Sequence, residues 1–278
     1  MEDGTRDMIV VHESSLLSGF ADAIQTEAVE IIDLTTRLSA ATPALRLPAP
    51  FANLVDFSLE EVSAYNDPGP YWKHNNIHTG EHVGTHIDAP IHWISGRDSH
   101  DVASIPLKKL IGSASVMDLS AEAENNPDFL LEVEHVKAWE MEHGQLAENT
   151  WLLFRTGWDQ YSSDEARFLN ADETGPHTPG VSVECAKWLA DETKISGFGV
   201  ETVGIDAGGA AGLDPAFPMH YFLLGKNKYG LTSLQNLAQL PPVGSMIVVS
   251  PLPIVGGTGS PTRVFALVDR AAESRMRL

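Results

Sequence analysis

His82-Val83-Gly84-Thr85-His86-Ile87-Asp88-Ala89-Pro90-Ile91-His92-Trp93 places three histidines and a carboxylate within eleven residues, and its local conformation decides what fold can present them. A helix would stack His82 over His86 at i, i+4, but Asp88 would fall two residues onward, on the far side. Gly84, Thr85 and Pro90 also disfavour helix. In a strand, residues 82, 84, 86 and 88 share one face, so His86 and Asp88 converge on one point. Fully extended, the Cα atoms of His82 and His86 would stand about 13 Å apart. That is near the limit for two imidazoles sharing an ion, so a bend is expected at Gly84. Pro90 then ends the ladder and turns the chain, which brings His92 back over the same point.

Outward from this segment, apolar runs rich in β-branched or aromatic residues predict strands at 30–34, 115–119, 150–156, 199–205, 245–249 and 263–268. Helical patterns are fewer. Residues 132–143 carry Val136 and Trp139 toward a core and stop at Gly144, and Ser182 caps a second helix through Trp188 and Leu189. Leu231, Leu234, Leu237 and Leu240 make a third short stripe. Strands outnumber helices without alternating strictly, which argues for a mixed sheet or barrel within an α/β class rather than a doubly wound sheet. Gly256-Gly257-Thr258-Gly259-Ser260 lacks a Gly-Lys-Ser/Thr ending and is followed by Pro261, so it reads as a tight loop rather than a phosphate cradle. No repeat or long linker divides the chain, and 1–278 is read as one domain in which residues 1–29 form an N-terminal arm that can serve a partner subunit.

The 278 residues are 43% hydrophobic and 20% charged, with 38 acidic against 18 basic side chains and a formal charge of -20. Such a surface repels phosphate backbones and anionic membranes, so nucleic acid and membrane partners are not expected. No apolar run has the length of a membrane span. The amino terminus, Met1-Glu2-Asp3-Gly4, carries acid where a secretory signal carries positive charge. The only cysteine, Cys185, allows neither a disulfide framework nor a thiolate metal site. A cytoplasmic protein whose metal is held by nitrogen and oxygen is expected.

Two imidazoles and one carboxylate leave coordination positions open, as catalytic sites do. A metal there lowers the pKa of bound water and polarises a carbonyl, and a remaining histidine transfers protons; His92 is the candidate. Two histidines and a carboxylate also resemble the triad of non-haem iron oxygenases, although the neighbouring His82 and His92 speak against that chemistry. A third reading is a metal-binding protein without catalysis.

The run resembles the His-x-Gly-Thr-His-x-Asp-x-Pro-x-His signature of the metal-dependent cyclase family, which includes bacterial kynurenine formamidases and isatin hydrolases, and it matches at every fixed position. The wider resemblance covers most of the chain. It is similar above all to the isatin hydrolase branch in Trp93-Ile94-Ser95-Gly96, in the run Phe168-Leu169-Asn170-Ala171-Asp172-Glu173-Thr174-Gly175-Pro176-His177, in Gly204-Ile205-Asp206-Ala207-Gly208, and in Gly257-Thr258-Gly259-Ser260-Pro261. The resemblance implies a swivelling β/β/α fold, usually assembled as a homodimer or larger homo-oligomer. It implies that His82, His86 and Asp88 hold the metal, that His92 transfers protons, and that His220 reaches the site from the second half of the chain.

Kynurenine formamidases resemble this pattern but carry a glutamate in a Glu-Asn-Leu run that serves a second metal, where this chain has Gln235-Asn236-Leu237. A neutral amide is a poorer ligand for a hard cation, so one ion per subunit is expected. By resemblance that ion is Mn2+, with Zn2+ as the alternative. Gln235 either orients water or substrate or is an exposed helix residue. The implied reaction opens the five-membered lactam of isatin to isatinate by attack of metal-bound hydroxide, with His92 helping to protonate the departing nitrogen. Trp93 and the Pro70-Tyr71-Trp72 run either wall an aromatic substrate or pack in the core. Asp206 either supports the site or forms a turn. N-formylkynurenine deformylation is the alternative reaction.

Overall fold

Seven strands close into a barrel whose wall is knitted by both parallel and antiparallel pairs. The computed structural model describes residues 15–46, 52–66 and 68–270. The longer strands are β1 (Val29–Asp33), β2 (Ser58–Ser63), β3 (His74–His78), β4 (His86–Asp88), β5 (Ile111–Asp118), β6 (Trp151–Arg155), β7 (Gly197–Val200), β8 (Tyr229–Thr232), β9 (Ser245–Pro251) and β10 (Gly259–Asp269). Around the barrel the order is β10, β9, β5, β6, β7, β8, β4 and back to β10. Strands β5 to β8 run parallel to one another, and the other contacts are antiparallel. One edge of the long strand β10 serves two partners, pairing residues 259–261 with β4 and residues 265–269 with β1.

The parallel strands are apolar on both faces because both faces are covered. In β6, Trp151 and Leu153 point into the barrel with Ile87, Leu231 and Ile247. The alternate residues Leu152 and Phe154 point outward, against Val136 and Leu189 of the flanking helices. The Trp151 indole N–H donates to the Lys109 carbonyl (3.0 Å), so a fully buried polar group is satisfied. The helices are α1 (Leu16–Gln25), α2 (Ser120–Asn125), α3 (Val133–His143), α4 (Glu165–Leu169) and α5 (Val183–Asp191). As expected, α3 ends at Gly144, whose φ of 92° suits glycine, and Ser182 caps α5 by accepting from the Cys185 N–H. No helix among the described residues is long and apolar enough to cross a membrane.

Two expectations are corrected. Leu231, Leu234, Leu237 and Leu240 do not share a helix: Leu231 lies in β8, Ser233 and Asn236 adopt left-handed backbone (φ 53° and 60°), and residues 237–239 form a single 3-10 turn. All four leucines are nonetheless buried, because a strand, a bend and a turn deliver them to one core at a spacing of three. The strand expected at 199–205 begins at Gly197 and ends at Val200, after which the chain bends through 201–206. Of the expected arm, residues 1–14 lie outside the described residues. Helix α1 follows, with Leu16 and Leu17 exposed.

Candidate active site

Strand β4 sits between β8 and β10, and its centre is built around a carboxylate. Asp88 pairs with Gly230 on one side and Gly259 on the other. Both neighbours must be glycine for the site to exist. A Cβ on Gly230 would stand 2.8 Å from Asp88 Oδ2, and one on Gly259 would stand 2.5 Å from His82 Cε1. The two strands thus leave a slot where the carboxylate and the first imidazole fit.

The chain enters β4 through a bend at Gly84, whose φ is 64°, as the spacing of His82 and His86 required. Leu38 lies where a Cβ on Gly84 would go, 2.6 Å away. The bend brings His82 Nδ1 to 2.8 Å from Asp88 Oδ1 and leaves His86 Nε2 at 3.4 Å from the same oxygen. Beyond Asp88, the Ala89-Pro90 step starts a 3-10 turn over Pro90–His92 that folds His92 back, its ring stacked on that of His82 with centroids 4.0 Å apart. Donor atoms of His82, His86 and Asp88 all lie within 4.8 Å of one another, the one such group among the described residues.

His220 arrives from the second half of the chain, in a short π-helical stretch (His220–Leu224), with its Nε2 4.0 Å from Asp88 Oδ2. Asp206 is a support for this histidine. Its carboxylate accepts from the Met219 and His220 backbone N–H groups (2.7 and 3.2 Å) and from His220 Nδ1 (2.5 Å). Trp93 packs beside His220 and Phe217, with centroids 5.0 and 5.6 Å away, forming an aromatic wall.

The electrostatics follow from burial and pairing. Burial dominates at His92 and pushes it down to about 3 against the pull of Asp88. His92 is therefore a neutral imidazole. At His220 burial also disfavours charge, but Asp206 outweighs it and the pKa is raised.

The donors suit a divalent ion held by nitrogen and oxygen. His86 Nδ1 lies 2.8 Å from the Gly84 carbonyl, which accepts its proton and leaves Nε2 bare toward Asp88. Two imidazole nitrogens and a buried carboxylate then converge, and three protein donors leave further coordination positions of an ion for water and substrate, as a catalytic rather than a closed site requires.

Two residues singled out from sequence lie elsewhere. Gln235 has no contact with the cluster: its Oε1 accepts from Ser162 Oγ (3.1 Å) and its amide donates to the Leu234 carbonyl. The side chain that β8 sends to His86 is Thr232, whose hydroxyl lies 2.9 Å from Nδ1 and 3.1 Å from Nε2. Trp72 is 54% exposed beside the β2–β3 hairpin, with its ring 5.7 Å from that of His74. Thr232, Phe217, Gly230, Gly259, Thr258 and Glu81 escaped notice as site residues. Only Thr258 and Gly259 stood in a run that drew attention, since the others carry no spacing that distinguishes them.

Comparison with known proteins places this site in a family. The family model "Putative cyclase" matches residues 32–207. The chain is 44% identical over 260 residues to isatin hydrolase from Roseibium aggregatum, covering 92% of this chain and 98% of that protein. A crystal structure of an isatin hydrolase bound to the product analogue thioisatinate superposes with a TM-score of 0.88 at 43% identity, over 92% of this chain and 99% of that one. Kynurenine formamidase from Salinibacter ruber is 31% identical over 68% of this chain and 76% of its own length. The chain belongs to the cyclase family.

Proposed function

We propose that this protein is a metal-dependent amidohydrolase that opens the lactam ring of isatin to isatinate. The carrying observation is a converged set of His82, His86 and Asp88 beside a buried neutral His92, in a chain that matches isatin hydrolase along nearly its whole length. When bound, a divalent ion supplies an activated water and polarises the amide carbonyl. The residues around it divide the remaining work. His82, His86 and Asp88 hold the ion, and the glycines opposite Asp88 keep the slot open. His92, neutral before reaction, accepts the proton of the attacking water and hands it to the departing aniline nitrogen. His220, whose protonated form Asp206 favours, presents an Nε2–H donor to the charge that develops on the carbonyl oxygen. Trp93 and Phe217 offer the flat apolar wall that a fused aromatic ring needs.

Nitrogen and carboxylate donors accept either Mn2+ or Zn2+; we assign one ion per subunit, because no further carboxylate joins the cluster among the described residues, and take it as Mn2+ on the resemblance to isatin hydrolases. The hairpin of β2 and β3 leaves Leu59, Val62 and Ile77 exposed, a surface that a second copy would cover in a homodimer. A single buried cysteine fits the reducing cytoplasm.

The test follows isatin consumption spectroscopically with chelated, Mn-reconstituted and Zn-reconstituted protein, with N-formylkynurenine as control. Metal-restored conversion of isatin is expected. Rapid deformylation of the control without isatin turnover would move the protein to the formamidase branch, which the formamidase relatives keep open.

A further inference from the structure

His82 meets Thr258 beyond the cluster, and Thr258 with the Glu81 that holds it dictates which His82 nitrogen carries the proton. Its Nε2 lies 2.9 Å from Thr258 Oγ1, and Thr258 Oγ1 lies 2.5 Å from Glu81 Oε2. The Thr258 backbone N–H also donates to that Glu81 oxygen, at 3.1 Å. A hydroxyl has one proton to give. A carboxylate oxygen can only accept, so the Thr258 O–H is directed to Glu81 and its lone pairs face His82. Nε2 must then be the donor, and Nδ1 is left bare.

That bare nitrogen stands 2.8 Å from Asp88 Oδ1. Two lone pairs at this distance repel unless a cation lies against both, so the arrangement is built for an ion rather than for a hydrogen bond. The ring cannot escape the choice by moving. Gly259, next to Thr258, lies close enough that a Cβ would collide with it, and His92 is stacked on its other side. Thr258 itself is fixed because its carbonyl accepts from the Ala89 N–H at 2.9 Å, which ties the loop before β10 to the end of β4.

We propose that Glu81 and Thr258 are positioning residues: the chain Glu81 carboxylate, Thr258 hydroxyl, His82 Nε2–H locks the tautomer of His82 that offers Nδ1 to the metal. His86 uses the Gly84 carbonyl for the same purpose, so both imidazoles are set before an ion arrives. This inference rests on the proposed metal site.

The experiment compares wild type with T258V, T258S and E81Q. Affinity for Mn2+ and Zn2+ is measured by competition with a chromogenic chelator, and the His82 tautomer is read by long-range 1H–15N NMR on metal-free protein. In wild type the pattern of an Nε2–H imidazole is expected. T258V should weaken metal binding about 10- to 100-fold and give mixed tautomers, E81Q should fall between, and T258S should stay within about threefold of wild type with the Nε2–H pattern. If T258V does not fold, the contrast between E81Q and T258S decides. An Nδ1–H pattern in wild type, or equal affinity of wild type with T258V and E81Q, overturns the relay. Absence of metal binding in wild type would instead overturn the metal site, with the NMR pattern still deciding the relay by itself.

Discussion

His86 and His92 differ in role though only six positions apart in sequence, and substitution separates them. His86→Ala removes a nitrogen donor whose orientation the Gly84 carbonyl has already set, so metal and activity are expected to disappear together, as metal analysis of the purified variant would show. His92→Ala leaves the three donors in place; turnover should drop by about 100-fold or more while metal content stays near wild type. Loss of metal in both variants would make His92 a ligand. The glycines opposite Asp88 give a sharper test, because they carry no side chain that could act as ligand or proton carrier. Gly230→Ala pushes a methyl to 2.8 Å from Asp88 Oδ2. It should weaken metal binding at least tenfold in a chelator titration while the far-UV circular dichroism spectrum stays that of the folded wild type.

Among the elements, the turn after β7 carries a charge the active site does not use. Glu201 is fully buried, and its Oε2 accepts from the Thr156 and Trp158 N–H groups (2.7 and 3.1 Å) and the Thr156 hydroxyl (3.1 Å), while Oε1 has no partner. Burial, with Asp159 nearby, pushes its carboxyl up to about 7. A raised acid favours the folded state while it is protonated, so its contribution is greatest below the ordinary value of 4.5 and is lost as pH rises through about 7. Glu201→Gln should therefore raise the melting temperature at pH 8, by an amount corresponding to at most about 3 kcal/mol, and change it little at pH 5. An equal shift at both pH values would contradict this.

A second element responds with opposite charge. The loop over 170–177 is clipped by His177, whose Nδ1 reaches Asp128 (2.9 Å) and whose Nε2 reaches Asp172 (3.3 Å). The Asp128 hydrogen bond leads in raising its pKa. A raised histidine stabilises below its unfolded value and loses that contribution as pH rises through the folded one. Hydrogen exchange in 170–177, corrected for the intrinsic rate, should therefore accelerate from pH 6 to pH 9, and His177→Gln should abolish the difference.

For the molecule as a whole, the sheet joins strands from position 29 to position 269, so segments far apart in sequence meet along β10, where β1 pairs beside the barrel. This supports reading the chain as one folding unit. The exposed apolar hairpin supports a homodimer, for which light scattering behind size exclusion should give twice the mass of one chain. Leu59→Asp with Ile77→Asp should halve it.

Local chemistry made much of this legible. The His82 to His92 run announced a metal cluster because its residue types and its glycine and proline leave few conformations open, and Gly84 bends and Pro90 turns as those residues demand. Helices with a cap and a glycine stop were equally readable, as were the apolar strands. What the sequence by itself determined was therefore whatever depends on neighbours a few positions away: the donors, their bend and turn, and the mixed α/β class. Tertiary structure alone decided which distant residues complete the site. Cross-strand register set Gly230 and Gly259 opposite Asp88 and brought Thr232 to His86, while the loops beyond the strands turned Gln235 away and laid Thr258, held by Glu81, against His82. Register is fixed by how whole strands bury their apolar faces, a property no short stretch of sequence contains.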